Sequence, residues 1–428
     1  MADRGDKEHA QSVPGHARAR RATVARHGRT HRERRLLRSL ALVLTAVVVT
    51  GASGAAAIAL RISSNMNQVD NSDLLDDVAR PAAPAPDPDD PNSGRAVNLL
   101  LIGSDDRTGV NGVIGGDEEG KRSDTTMFLH VSADRSRIEV VSLPRDAVVP
   151  LPACPVTGGG TTRASDGAMF NGAFARGWDT GLDLVSAATC TQLTVEQLTG
   201  IRIDGFIVVD FIGFQNVVDA IGGVPLCTRE DLRDVDSGLD LPAGEHVLDG
   251  PTALALARAR HDLSDGSDTH RLDRQQALVA ATVRTILDSN LLTDAPALLR
   301  TVDAATSAVT VSGGFSLSGL AFSLKGVDPA DVVFQTVPSG PKPGNKNRVV
   351  WTSEADALWA RLLADAAPTA PAAPTDPAGP AAPADPAAPA APADPAAASP
   401  APTPTVDPMA DRTPGETISS ADAQVACG

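Results

Sequence analysis

The stretch Leu40–Leu60 (LALVLTAVVVTGASGAAAIAL) contains no charged residue, and it constrains the chain more than any other segment. At roughly 1.5 Å per residue a helix of this length spans about 31 Å, the thickness of a bilayer's hydrocarbon core. Residues 1–38 carry eleven Lys/Arg against four Asp/Glu, and Arg32, Arg34, Arg35 and Arg38 lie just before the apolar run. Basic flanks mark the cytoplasmic side. The expected topology is therefore a single pass with the N-terminus inside and the bulk of the chain on the extracytoplasmic face. A cleaved secretion signal is the competing reading, with Leu40–Val49 as its apolar core. A basic region of nearly forty residues is long for that role.

The chain as a whole has a net charge of −16, so the part beyond the basic head is strongly acidic. That balance excludes nucleic acid as the expected partner. Four cysteines (Cys154, Cys190, Cys227 and Cys427) follow the apolar run. An even number on an oxidising face points to disulfides, with three possible pairings. Cys154 with Cys190 is preferred because both flank one irregular insertion. No CxxC pair is present, which argues against zinc.

Composition divides the sequence into a basic N-terminus (1–39), the membrane helix (40–60), a linker (61–94), a globular region (95–365) and a Pro/Ala-rich tail (366–428). The linker is polar and then Pro/Asp-rich. The tail cannot bury a core and is expected to be extended and disordered. Within the globular region, Val97–Ile102 reads as a buried strand. Thr125–Val131, Ile138–Leu143 and Phe206–Val209 read as three more. Phe211–Ile221, Pro251–Arg258 and Arg271–Leu287 have helical spacing, with Asp268 or Thr269 suited to cap the last. Val309–Val311, Val332–Val337 and Ala355–Leu363 supply further strands and a closing helix. This alternation predicts an α/β fold in one sandwich domain.

Four polar clusters interrupt these apolar elements: Gly103–Arg107, Arg122–Thr125, Pro144–Asp146 and Arg258–Gln275. The first and third follow strands, where α/β sheets bind ligands. Asp105 and Asp124 can present two carboxylates to one point, a donor set that suits Mg²⁺ completed by substrate oxygens. An isolated loop aspartate more often caps a turn. Here arginines flank both. Arg122, Arg145, Arg258, Arg260, Arg271 and Arg274 offer planar forks that match phosphate oxygens. Arg271 and Arg274 share a helix face beside Gln275. Arg258 and Arg260 stand about 200° apart on a helix, so both reach one site only if the helix ends near Arg258. The bland alternative is a solvated charged face. No nucleophile triad or P-loop is visible.

The stretches NLLLIGSDDR, RSDTTMFLHV, VVSLPRD, LTGIRIDGFIVVDFIGFQNVVDAIGGVPL and LPAGEHVLDGPTALALARARHDLSDGSDTHRLDRQQ together resemble the LytR–CpsA–Psr family of cell-wall glycopolymer ligases, in its actinobacterial form. The resemblance runs from Val97 to Leu287, and more loosely to Leu363. It implies an α/β/α sandwich around a mixed sheet, with an apolar tunnel for a lipid tail. It also implies Mg²⁺-assisted transfer of a glycan from a polyprenyl-pyrophosphate carrier to a peptidoglycan hydroxyl, leaving a phosphodiester. By resemblance Asp105 and Asp124 hold the metal, and Arg145, Arg258, Arg260 and Arg271 act on the pyrophosphate. Arg107, Arg122, Arg274 and Gln275 fall around the same site. Residues 108–121 and Pro150–Ser165 depart from the family's compact loops and bear on glycan or acceptor preference. A precursor binder without turnover, or a polyprenyl-pyrophosphate pyrophosphatase, would use the same residues.

Overall fold

In the computed structural model the described residues are 67–82, 94–105, 121–259, 268–288, 303, 309–313, 327–368 and 412–422. The expected membrane helix, Leu40–Leu60, lies outside them. Among the described residues no helix is long and apolar enough to cross a membrane.

The chain runs β1 (Asn67–Val69), α1 (Ser72–Leu75), β2 (Val97–Ser104), β3 (Ser123–Val131), β4 (Ile138–Ser142), β5 (Val148–Leu151), β6 (Ser165–Met169), α2 (Gly172–Gly181) and α3 (Leu184–Thr199). It continues through β7 (Gly205–Val209), α4 (Phe211–Ala220), β8 (Val224–Thr228), β9 (Leu232–Asp234), β10 (Leu239–Leu241), β11 (Gly244–Leu248), α5 (Gly250–Arg258) and α6 (Asp268–Asp288). The remaining elements are β12 (Val309–Ser312), β13 (Val332–Thr336), β14 (Ser339–Lys342), β15 (Asn345–Trp351), α7 (Ser353–Leu363) and β16 (Thr417–Ser419).

Eight strands form one sheet in the order β1-β12-β7-β2-β3-β4-β13-β16. β2 is parallel to β7 and antiparallel to β3, and β4 is antiparallel to β3 and parallel to β13, so the sheet is mixed. Strand alternation sends neighbouring side chains to opposite faces. Phe128, Leu100, Ile102 and Phe206 pack under α2, α3 and α7 with Phe174, Ala187 and Trp359. Met127 and Val140 pack on the other face with Val218, Leu256 and Leu278 of α4, α5 and α6. The expected α/β/α layering is present.

Each sequence-derived strand and helix from β2 to α6 falls within a few residues of its expected place. One shift matters. β3 starts at Ser123, not Thr125, so Asp124 stands within the strand, beside a register shift between Gly103 and Ser104 of β2. Both central helices after β7 are capped by aspartates: Asp210 accepts from Gly213 N and Asp249 accepts from Thr252 N. Such caps satisfy amide groups that a helix start leaves open.

Two segment expectations need correction. The 61–94 linker is not wholly a spacer. β1 pairs in parallel with β12 at the sheet edge. Buried Asn71 donates to Thr189 and Gln192, and Arg80 pairs with buried Glu196 at 2.6 Å. These polar side chains find partners on α3, which a free linker would lack. The 366–428 tail is likewise not disordered throughout, because β16 adds antiparallel to β13. Ile418 explains the return: it is a single apolar residue in a polar stretch, and it is buried against the core. The Cys154–Cys190 disulfide forms as preferred and ties the β5–β6 loop to α3.

Candidate active site

The ends of β2 and β3 and the turn after β4 open into a cavity of about 530 Å³. Asp105, Arg122, Asp124, Arg145, Arg258 and Arg271 line it, with Gln275. Leu101, Met127, Val209, Phe211, Phe214, Leu254, Leu278 and Val279 supply an apolar part of the same lining. Polar and apolar linings meet because the strand ends carry charge while the helix stripe 271-275-278-279 turns from cation to aliphatic along one face.

Asp105 is nearly buried just past β2, and its backbone N–H donates to the Arg122 carbonyl at 3.0 Å. Gly103 opposes Thr125 so closely that a Cβ would lie 3.2 Å from the Thr125 Cβ. This close approach brings the two aspartate-bearing strand ends together. Arg145 Nη1 donates to Asp124 Oδ1 at 2.5 Å. Arg271 is buried and its Nη2 donates to the Asp124 carbonyl at 3.2 Å. Asp124 is thus held through both side chain and backbone by two arginines from distant segments.

α5 ends at Arg258, as the two-residue spacing of Arg258 and Arg260 requires, and Ala259 leaves the helix at ψ 132°. The Arg258 guanidinium lies 4.9 Å from the Phe211 ring centroid, a cation–π contact. Gln275 donates to the Ala257 carbonyl at 2.9 Å. Its buried Oε1 has no hydrogen-bond partner among the described residues, leaving an acceptor beside the cavity.

Arg107 and Arg260 lie outside the described residues. Arg274 is buried but does not line the cavity. Its Nη2 donates to the Ala259 carbonyl at 2.8 Å and holds the end of α5. Three residues along a helix still leave a turn of about 60°, enough to direct it to its neighbour helix.

Four polar residues of the lining were not singled out from sequence: Asp146, Asn171, Asp210 and Arg348. Asp146 adjoins Arg145 within the third cluster. Asp210 carries a readable helix-start signal before Phe211. Arg348 comes from the β14–β15 hairpin, and its Nη1 approaches Asp146 Oδ1 at 3.5 Å. Nothing in the local sequence marks it.

Two carboxylates on adjacent strand ends fit a Mg²⁺ ion that takes its remaining ligands from phosphate and water. Among the described residues no cluster of three or more His, Cys, Asp or Glu offers an all-protein metal cage. The two oxygen donors fit a divalent ion completed by substrate and water.

Fold and site together define an α/β/α protein with one cavity lined by arginines, carboxylates and apolar side chains. Residues 52–362 match the LytR_cpsA_psr family, and the chain belongs to it. It is 32% identical over 266 residues to cell wall biosynthesis protein LcpA of Corynebacterium glutamicum, covering 57% of this chain and 50% of that one. It is 30% identical over 204 residues to the polyisoprenyl-teichoic acid–peptidoglycan teichoic acid transferase TagU of Oceanobacillus iheyensis, covering 48% and 56% respectively. The chain thus spans about half the length of the curated relatives it matches. A crystal structure from Streptococcus agalactiae shares the fold, with a TM-score of 0.50 and 18% identity over 63% of this chain and 88% of that one.

Proposed function

We propose that the protein is a phosphotransferase that moves a glycan from a polyprenyl-pyrophosphate carrier to a hydroxyl of peptidoglycan, leaving a phosphodiester. The observation that carries this reading is the mixed lining of one cavity, which brings arginines and carboxylates together with apolar side chains. A pyrophosphate bearing a sugar on one side and a prenyl chain on the other has the same mix of polarity. The name of TagU supports the same reaction class, and that of LcpA supports a role in cell wall biosynthesis.

Phosphoryl transfer needs charge neutralisation and alignment more than covalent help. Arg145, Arg258 and Arg271 line the cavity and would hold the pyrophosphate oxygens. Arg260, Arg107 and Arg122 are proposed to extend this set. Asp105 and Asp124 would hold Mg²⁺, which when bound supplies neutralisation of the pyrophosphate charge. Gln275 presents an acceptor for a donor group on the ligand. The acceptor hydroxyl forms a new P–O bond to the phosphorus that bears the sugar. The bridging P–O bond breaks, and polyprenyl phosphate leaves with both bonding electrons. The hydroxyl proton passes to a carboxylate of the cavity or to the departing phosphate. Leu101, Phe214, Leu278 and Val279 offer the prenyl chain a water-free wall, each buried methylene stabilising by about 0.8 kcal/mol.

We propose further that Leu40–Leu60 anchors the chain in the bilayer that carries the donor lipid, with the catalytic domain on the extracytoplasmic face. Anchoring would confine the search for donor to two dimensions.

The test is product analysis with a prenyl-pyrophosphate-linked disaccharide, Mg²⁺, and peptidoglycan fragments present or absent. Transfer yields a phosphodiester-linked glycan only when peptidoglycan is supplied. Equal phosphate release without peptidoglycan would identify a pyrophosphatase instead, and tight binding with no product would identify a binder.

A further inference from the structure

The C-terminal segment makes contacts that a passive tail would not. Arg412 is buried, and its Nη2 lies 3.2 Å from Asp273 Oδ1, each side chain only 4% exposed. Its backbone N–H donates to the other Asp273 oxygen at 3.1 Å. Arg412 Nη2 also donates to Gln276 Oε1 at 2.9 Å. Gln276 Nε2 in turn donates to Ser142 Oγ of β4 and Thr336 Oγ1 of β13. Nine residues on, the Ala421 carbonyl accepts from Arg284 at 2.9 Å. Between these two points β16 pairs with β13 and buries Ile418. The segment therefore grips α6 near both ends of its described length.

α6 is the helix that presents Arg271, Gln275, Leu278 and Val279 to the cavity. Asp273 lies about 200° around the helix from Arg271, so the grip is on the far side. A buried ion pair linked to a polar network fixes rotation and register more than it adds stability.

We propose that residues 412–422 are a strap that sets the register of α6 against the sheet, with Arg412 as its positioning residue. Arg412 touches no proposed substrate atom; it acts through α6 on Arg271 and Gln275. The consequence for ligand binding rests on the function proposed above, whereas the strap itself does not.

Hydrogen exchange on the full-length chain, together with geranylgeranyl pyrophosphate binding, tests this. Arg412→Ala is expected to speed amide exchange across 271–286 at least tenfold, with β3 amides (123–131) unchanged, and to weaken ligand binding at least tenfold. Arg412→Lys restores charge and should fall between the two. If Arg412→Ala exposes β3 equally, the chain has lost its fold, and Arg412→Lys decides the matter. Wild-type exchange of α6 in a folded Arg412→Ala, or in Arg412→Lys where Arg412→Ala does not fold, overturns the strap. If the wild-type chain binds no prenyl pyrophosphate, the proposed function fails while the exchange comparison still decides the strap.

Discussion

Arg145→Ala separates catalysis from stability. The Arg145 side chain is 14% exposed, and its partner Asp124 is 32% exposed at 2.5 Å. With a third of Asp124 in water, solvent screens the pair, and its loss should cost the fold less than about 1 kcal/mol. That corresponds to a shift in melting temperature of under about 4 °C for a domain of this size. In the proposed reaction the same guanidinium would meet charge that develops on the pyrophosphate. Removing one such donor costs roughly 2.7–4 kcal/mol of transition-state stabilisation, a fall of about 100- to 1,000-fold in kcat. Arg145→Lys keeps the charge and loses the fork, so it should recover only part of that rate. The assay is initial-rate transfer from a prenyl-pyrophosphate-linked disaccharide, read beside a thermal melt of the same preparation. Full activity in Arg145→Ala, or an activity loss matched by collapse of the melt, would refute the reasoning.

Val279→Glu places a carboxylate on the half-buried apolar wall; it should weaken binding of a long prenyl pyrophosphate at least tenfold and spare inorganic pyrophosphate, measured by calorimetry. Replacing both Cys154 and Cys190 by Ala opens a 36-residue separation and should cost about 4 kcal/mol, roughly 10 °C in melting temperature by calorimetric scan. Burial pushes the His130 pKa below its ordinary value despite the opposing pull of Asp365 at 3.0 Å. The unfolded chain therefore binds this proton more readily, so stability is intact above the unfolded pKa near about 6.5 and falls as pH drops through it. His130→Gln should flatten that acid slope in urea melts at pH 7.5 and 5.5.

The elements easiest to read from sequence were those with one dominant period. β2 is a continuous apolar run because both faces of the central sheet are covered. α6 shows a clear helical stripe. α3 was missed because it is buried nearly all round, with four threonines among its buried residues. Thr191, Thr194 and Thr199 satisfy their hydroxyls on carbonyls four residues back, so polar residues stand where an amphipathic pattern would place apolar ones. β16 is three residues long with one apolar side chain, too short for any periodic signal. In the site, the paired aspartates and the arginines after β4 and in α5 and α6 were legible because charge breaks an apolar run there. Arg274 does not line the cavity, and spacing alone does not separate a cavity-facing arginine from one that caps a neighbouring helix. Arg348 enters from a hairpin remote in sequence, which only the fold brings to Asp146.

The central claim is that the sugar-bearing phosphorus moves with the glycan, and an isotope label follows that atom. A donor labelled with ³²P at the sugar-proximal phosphate, incubated with the full-length protein, Mg²⁺ and peptidoglycan, should leave its label on muramidase-released peptidoglycan fragments. The same donor labelled at the prenyl-proximal phosphate should leave its label on the lipid. Label appearing as free phosphate from either position, or peptidoglycan that stays unlabelled while the donor is consumed, would contradict the account.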